Sequence, residues 1–164
     1  MNSQTKPTPL IIRITNYLPL AEKVFLIALA IGIVLRLSNI DSLVMIISLA
    51  GLAVTFFLSA YRIIDIPRKE NETFGFQELL GYLIVPKILY ISCAVATCGI
   101  LFYFLNLGNE GYRQMLFIGG TSLGLGIVII AYLAVTGVKY MGAILPVLYR
   151  AIPLLVLDLY LFFK

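Results

Sequence analysis

The chain has 164 residues, of which 61% are hydrophobic and only 12% charged, with a formal net charge of +4 and a mean hydropathy of +1.02. A soluble globular domain carries roughly 25% charged residues, so this composition excludes one and points to an integral membrane protein. Histidine is absent, which removes the commonest neutral-pH proton shuttle and metal ligand.

Met1–Tyr17 (1–17) reads as an N-terminal cytoplasmic tail. It holds Lys6, Pro7, Pro9 and Arg13, and its apolar run Leu10-Ile11-Ile12 is too short for a secretory signal. Leu18–Arg36 is the first stretch able to cross a hydrocarbon layer about 30 Å thick. On it Ala28 and Gly32 stand four apart, a smooth stripe where another backbone can approach. Ser38-Asn39-Ile40-Asp41-Ser42 is a short turn that forces an antiparallel neighbour. That neighbour is Leu43–Tyr61, with Gly51, Thr55 and Ser59 as its small-residue stripe. The first transmembrane hairpin is thus 18–61.

The connection 62–78, RIIDIPRKENETFGFQE, is placed in the cytoplasm, where Arg68 and Lys69 could meet a partner or anionic headgroups. A second hairpin, 79–136, follows. Leu79–Leu105 is its ascending stretch, Asn106–Gly111 its turn and Met115–Thr136 its return. Gly119, Gly120, Thr121, Ser122, Gly124 and Gly126 crowd one half of the return helix. Gly120 and Gly124 are expected to make a close helix contact, and Ser122 could line a polar path.

The last stretch, 142–163, is interrupted by Pro146 and Pro153 and carries Arg150 and Asp158 on roughly one helical face. It is expected to be a fifth span, with a re-entrant helix as the alternative. The expected fold is therefore all-α: a polytopic membrane helical bundle of two tandem transmembrane hairpins plus a C-terminal hydrophobic helix. With four spans, Lys6, Arg13, Lys23, Arg62, Arg68, Lys69, Lys87 and Lys139 fall on the N-terminal side, against Arg36 and Arg113 at the opposite turns. By the positive-inside rule the N terminus is cytoplasmic.

The two hairpins look like an internal repeat. Gly32-Ile33-Val34-Leu35 matches Gly99-Ile100-Leu101-Phe102, and Leu37-Ser38-Asn39-Ile40 matches Phe104-Leu105-Asn106-Leu107. Chemistry finds little to stand on. Cys93 and Cys98 point in different helical directions and read as packing residues, and no nucleophile elbow, P-loop or zinc-protease motif occurs. The first four stretches are expected to hold no acid at their middle, with Asp41, Asp65, Glu78 and Glu110 at their edges. Tyr61, Tyr82, Tyr90, Tyr103, Tyr132 and Tyr140 read as an interfacial belt.

The run Ala94-Val95-Ala96-Thr97-Cys98-Gly99-Ile100-Leu101-Phe102-Tyr103-Phe104, followed by a short turn and Met115-Leu116-Phe117-Ile118-Gly119, resembles the membrane hairpin of the GldL-type gliding-motility and type 9 secretion proteins. The resemblance covers the second hairpin alone. It implies a bacterial inner-membrane hairpin that packs in an oligomer. It does not imply the family's proton-driven motor. The family's Trp-Pro-Gly turn is replaced by Asn106-Leu107-Gly108-Asn109, and its intrahelical acid has no counterpart between Met115 and Thr136. The family's cytoplasmic tail after that helix also has no counterpart here.

Two functions are therefore expected. The first is a non-catalytic membrane subunit that stabilises or tethers a larger inner-membrane complex through helix packing. The alternative is a small-molecule or ion transporter or channel, with a path near the Gly-rich fourth helix, Ser122, Arg150 and Asp158. Neither needs an enzyme activity, a cofactor, a metal or nucleic acid. The expected partners are membrane lipids and other membrane subunits or further copies of the chain.

Overall fold

The computed structural model describes residues 9–38, 43–62, 75, 79–107, 110–136 and 144–164, with the backbone alone for 9–15 and 82. Five helices account for nearly all of them: α1 Pro9–Leu37, α2 Leu43–Ser59, α3 Val85–Phe104, α4 Gly111–Val135 and α5 Leu145–Phe163. No strand occurs among the described residues. Asn16–Leu37 within α1, and all of α3, α4 and α5, are long and apolar enough to cross a membrane. The chain is a multi-pass integral membrane protein with an all-α bundle. The short member is α2, whose 17 residues reach about 26 Å at 1.5 Å each, near the lower limit for a span.

Three boundaries have local causes. Helix α1 begins at Pro9, inside the segment read as a tail. A proline at the first helical position gives up an N–H that would have no partner anyway, and its φ already suits a helix. Ahead of α3 the turn Leu80–Ile84 is π-helical, and the Val85 N–H reaches back to the Leu80 carbonyl. Pro86 explains it, because its ring collides with the carbonyl four residues earlier and the widened turn relieves the clash. Helix α5 starts at Leu145 with Pro146 in its first turn, then runs unbroken through Pro153, giving up one backbone bond there.

Contacts along the helices set their directions. Arg36 at the end of α1 sits 4.5 Å over the Phe104 ring at the end of α3, so α1 and α3 run the same way. Phe117 near the start of α4 meets Phe162 near the end of α5, with ring centroids 6.0 Å apart. Helices α1, α3 and α5 ascend while α2 and α4 descend. At the centre is α3, which packs against α2, α4 and α5, and α1 leans chiefly on α2. Leu89, Cys93 and Ala96 of α3 are fully buried, with Leu52 and Phe56 of α2 and Leu123 of α4 around them. Phe56 thus belongs to the core, whereas Phe57 is exposed.

Glycines mark where backbones touch. A Cβ on Gly32 would come within 2.7 Å of the Met45 backbone, so α1 and α2 close there. A Cβ on Gly99 would meet the Leu116 backbone at 3.0 Å, and one on Gly119 the Ala96 backbone at 2.8 Å, closing α3 on α4. Gly126 receives Leu89, and Gly51 lies under the Phe25 ring. Ala28 is half-buried beside this seam. Gly124 is a correction: none of the described residues lies within 4 Å of a Cβ placed there. It is two residues from Gly126, about 200° away around the helix, and so turns from the α3 contact. Because the obstacle at Gly119 is backbone, Gly119→Leu should cost on the order of 1–3 kcal/mol. Thermal unfolding in detergent should show a marked drop for Gly119→Leu and little change for Gly124→Leu. Equal behaviour of the two would place the contact elsewhere.

Candidate functional site: a charged cluster and a buried aspartate

The ascending helices meet at one polar point. Arg150 of α5 donates from Nε to Glu22 Oε1 of α1, forming an ion pair. Its Nη1 donates to the Tyr90 hydroxyl of α3 at 3.1 Å and to the Pro146 carbonyl at 2.9 Å. The Arg150 guanidinium carbon stands 5.9 Å from the Tyr90 ring centroid, so the contact includes a cation–π component. Glu22 lies six residues inside Asn16, the first residue of the candidate span, about 9 Å along the axis. Its side chain is 9% exposed and that of Arg150 27%. Two charges so placed stabilise the bundle only as a pair, since either alone would be poorly solvated.

Asp158 is the second polar feature. It is 1% exposed on the buried stripe of α5, with Val147, Ala151 and Leu161. Its Oδ2 occupies the space that a Cβ on Gly120 would need, so the glycine of α4 is what admits the carboxyl. Its Oδ1 is buried with no hydrogen-bond partner among the described residues. An ionised carboxylate held this way is costly, and a proton or a cation is the counter-charge it lacks.

Arg150 and Asp158 are not brought together. They are eight residues apart, roughly 80° around the helix; Arg150 turns to α1 and α3, Asp158 to α4. Ser122 is half-buried and forms no part of either group. The Gly51-Thr55-Ser59 stripe satisfies itself, as Thr55 Oγ1 donates to the Gly51 carbonyl and Ser59 Oγ to the Thr55 carbonyl, each at 2.7 Å. Ser48, Ser92 and Thr97 likewise donate to carbonyls one turn back. Arg68 and Lys69 lie outside the described residues.

Two sequence readings change here. Glu22 stands inside the first span, an interior acid that the reading of edge acids at Asp41, Asp65, Glu78 and Glu110 passes over. Its neighbour Lys23 is exposed, and an adjacent charge pair near a span end looks interfacial. Only the contact with Arg150, 128 residues away, reveals the role. Tyr90 belongs to this cluster and not to an outer belt, whereas Tyr61 and Tyr132 are exposed.

A cleft of about 240 Å³ runs from this cluster along the bundle. Glu22 and Arg150 lie at one end, and Leu26, Leu29, Leu52, Ile100, Leu154 and Leu157 line the remainder. On the other face of α1, a groove of about 690 Å³ lies between α1 and α2, over Ala21, Ala50 and Gly51. No group of three or more metal-ligating side chains occurs among the described residues. Comparison with known proteins finds no matching family model, no matching curated protein and no matching solved structure.

Removing one partner of the ion pair leaves the other stranded. Glu22→Gln should cost about 3 kcal/mol, the low end for a buried pair because Arg150 keeps some exposure. The double variant Glu22→Gln, Arg150→Gln should recover part of that loss. Detergent melting curves of the wild type, both single variants and the double variant measure the coupling, and strict additivity would remove the pair from any structural role.

Proposed function

We propose that the chain is a small-molecule or ion transporter or channel unit whose working group is Asp158. The observation that carries this reading is a buried carboxyl in a space kept open by Gly120, its Oδ1 without a hydrogen-bond partner among the described residues. Intramembrane ionisable groups are expensive, and where they persist they commonly carry protons or ions. The expectation of a nearly charge-free interior weighed against transport. With Glu22, Arg150 and Asp158 all buried or half-buried, that objection loses its ground. The step assigned to Asp158 is reversible protonation: the carboxylate takes a proton from one side and releases it to the other.

A second reading, the non-catalytic subunit of a larger complex, is supported by the groove between α1 and α2. Its small residues and apolar walls would accept a helix of another subunit or copy. The repeat reading is supported by Gly32 and Gly99, which take equivalent places in the two hairpins, each against the first turns of the next helix. A bacterial inner-membrane location with a cytoplasmic N terminus is supported by the GldL-type resemblance and by the Lys and Arg distribution.

Proton flux into liposomes holding the purified protein, driven by an imposed potential, tests the first reading. Flux above protein-free vesicles is expected for the wild type, falling to background in Asp158→Asn while helicity and melting are retained. Wild-type flux equal to empty vesicles, together with a stoichiometric partner in mass spectrometry from mild detergent, would replace it by the second. Topology is checked separately. Cysteine at Glu110 should react with an impermeant reagent from outside intact cells, and cysteine at Gly75 only after lysis; the reverse pattern inverts the bundle.

A further inference from the structure

The cleft beside the charged cluster has the features of a lipid site. It is an apolar channel bounded by α1, α2, α3 and α5, and at its polar end an anion and a cation stand side by side. Arg150 uses Nε and Nη1 on protein acceptors, leaving both Nη2 hydrogens without a protein partner among the described residues. Glu22 binds Arg150 through Oε1 only, so Oε2 is also unused among the described residues. Glu22 and Arg150 themselves line the cleft, at one end of the space that an occupant would fill.

We propose that this cleft binds one phospholipid with an ethanolamine headgroup. The phosphate accepts from Arg150 Nη2, the primary ammonium donates to Glu22 Oε2, and an acyl chain lies along Leu26, Leu29, Leu154 and Leu157. The charge pattern selects this occupant. A paired glutamate and arginine present no net charge, so a purely anionic headgroup gains the arginine and is repelled by the glutamate. A zwitterion satisfies both. A choline headgroup has the same charges but no N–H to donate, and it forfeits the charge-assisted bond to Glu22. Glu22 is about 9 Å inside Asn16, so the bound headgroup is drawn toward the pair, below the level of the surrounding headgroups. The site is independent of Asp158, which faces α4.

The test is native mass spectrometry of the full-length protein, stripped of lipid and titrated with one lipid at a time: phosphatidylethanolamine, phosphatidylcholine or phosphatidylglycerol with identical chains. The ethanolamine lipid should bind about tenfold more tightly than the choline lipid, the scale of one charge-assisted hydrogen bond. Glu22→Gln should abolish that preference while leaving some binding of each lipid. Leu157→Trp, which adds bulk to the lining of the cleft, should weaken all three. Equal binding of the three lipids by the wild type overturns the proposal without need of any variant. So does a preference for phosphatidylglycerol, which carries no ammonium for Glu22. An ethanolamine preference that survives in Glu22→Gln, or one unaffected by Leu157→Trp, also overturns it.

Discussion

Within hydrocarbon an apolar side chain gains little by turning from lipid to a neighbouring helix, so the bundle depends on where backbones can come close. Gly32 against Met45, Gly99 against Leu116 and Gly119 against Ala96 are those places. Each brings two helices near enough for dispersion contacts to accumulate along their length. The rest follows from the three. They close the two hairpins; α3 reaches the centre by packing against α2 and α5 as well, and α1 is left with a surface turned mostly outward, where Leu20, Ile27, Ile31 and Val34 are exposed. In water such a surface would drive aggregation; in a membrane it is the lipid face.

Polar atoms obey a second constraint, that no water is available to satisfy them. The hydroxyls of Ser48, Thr55, Ser59, Ser92 and Thr97 meet it within their own helices. Glu22 and Arg150 meet it in part by pairing across helices, with Tyr90 accepting a further bond from the arginine. Asp158 does not meet it at Oδ1. The contrast singles out this residue: the hydroxyls and the Glu22–Arg150 pair find partners within the described bundle, and the buried Asp158 Oδ1 finds none there.

Charge in the interior also separates two levels of the bundle. The Glu22–Arg150 pair joins α1 to α5, which otherwise have few contacts, and spans the head of the cleft. Asp158 sits about 12 Å further along α5 and belongs to the contact with α4. One face of α5 is therefore a tether and the adjoining face holds the unpaired acid.

The amino-acid sequence by itself determined the membrane setting, the helical class and the approximate spans, because hydropathy over some 20 residues is a local property. The starts of α3 at Val85 and of α5 at Leu145 have causes within one helical turn, Pro86 and Pro146, although the expected stretches began at Leu79 and at 142. Which glycines touch a backbone depends on how each helix is rotated in the bundle, so Gly119 and Gly126 could not be told from Gly124 by spacing alone. The tertiary structure alone decided that Glu22 meets Arg150 and Tyr90 and that Asp158 faces Gly120. The partners come from helices far apart in the chain, and pairing across such distances leaves no periodic trace in a single sequence.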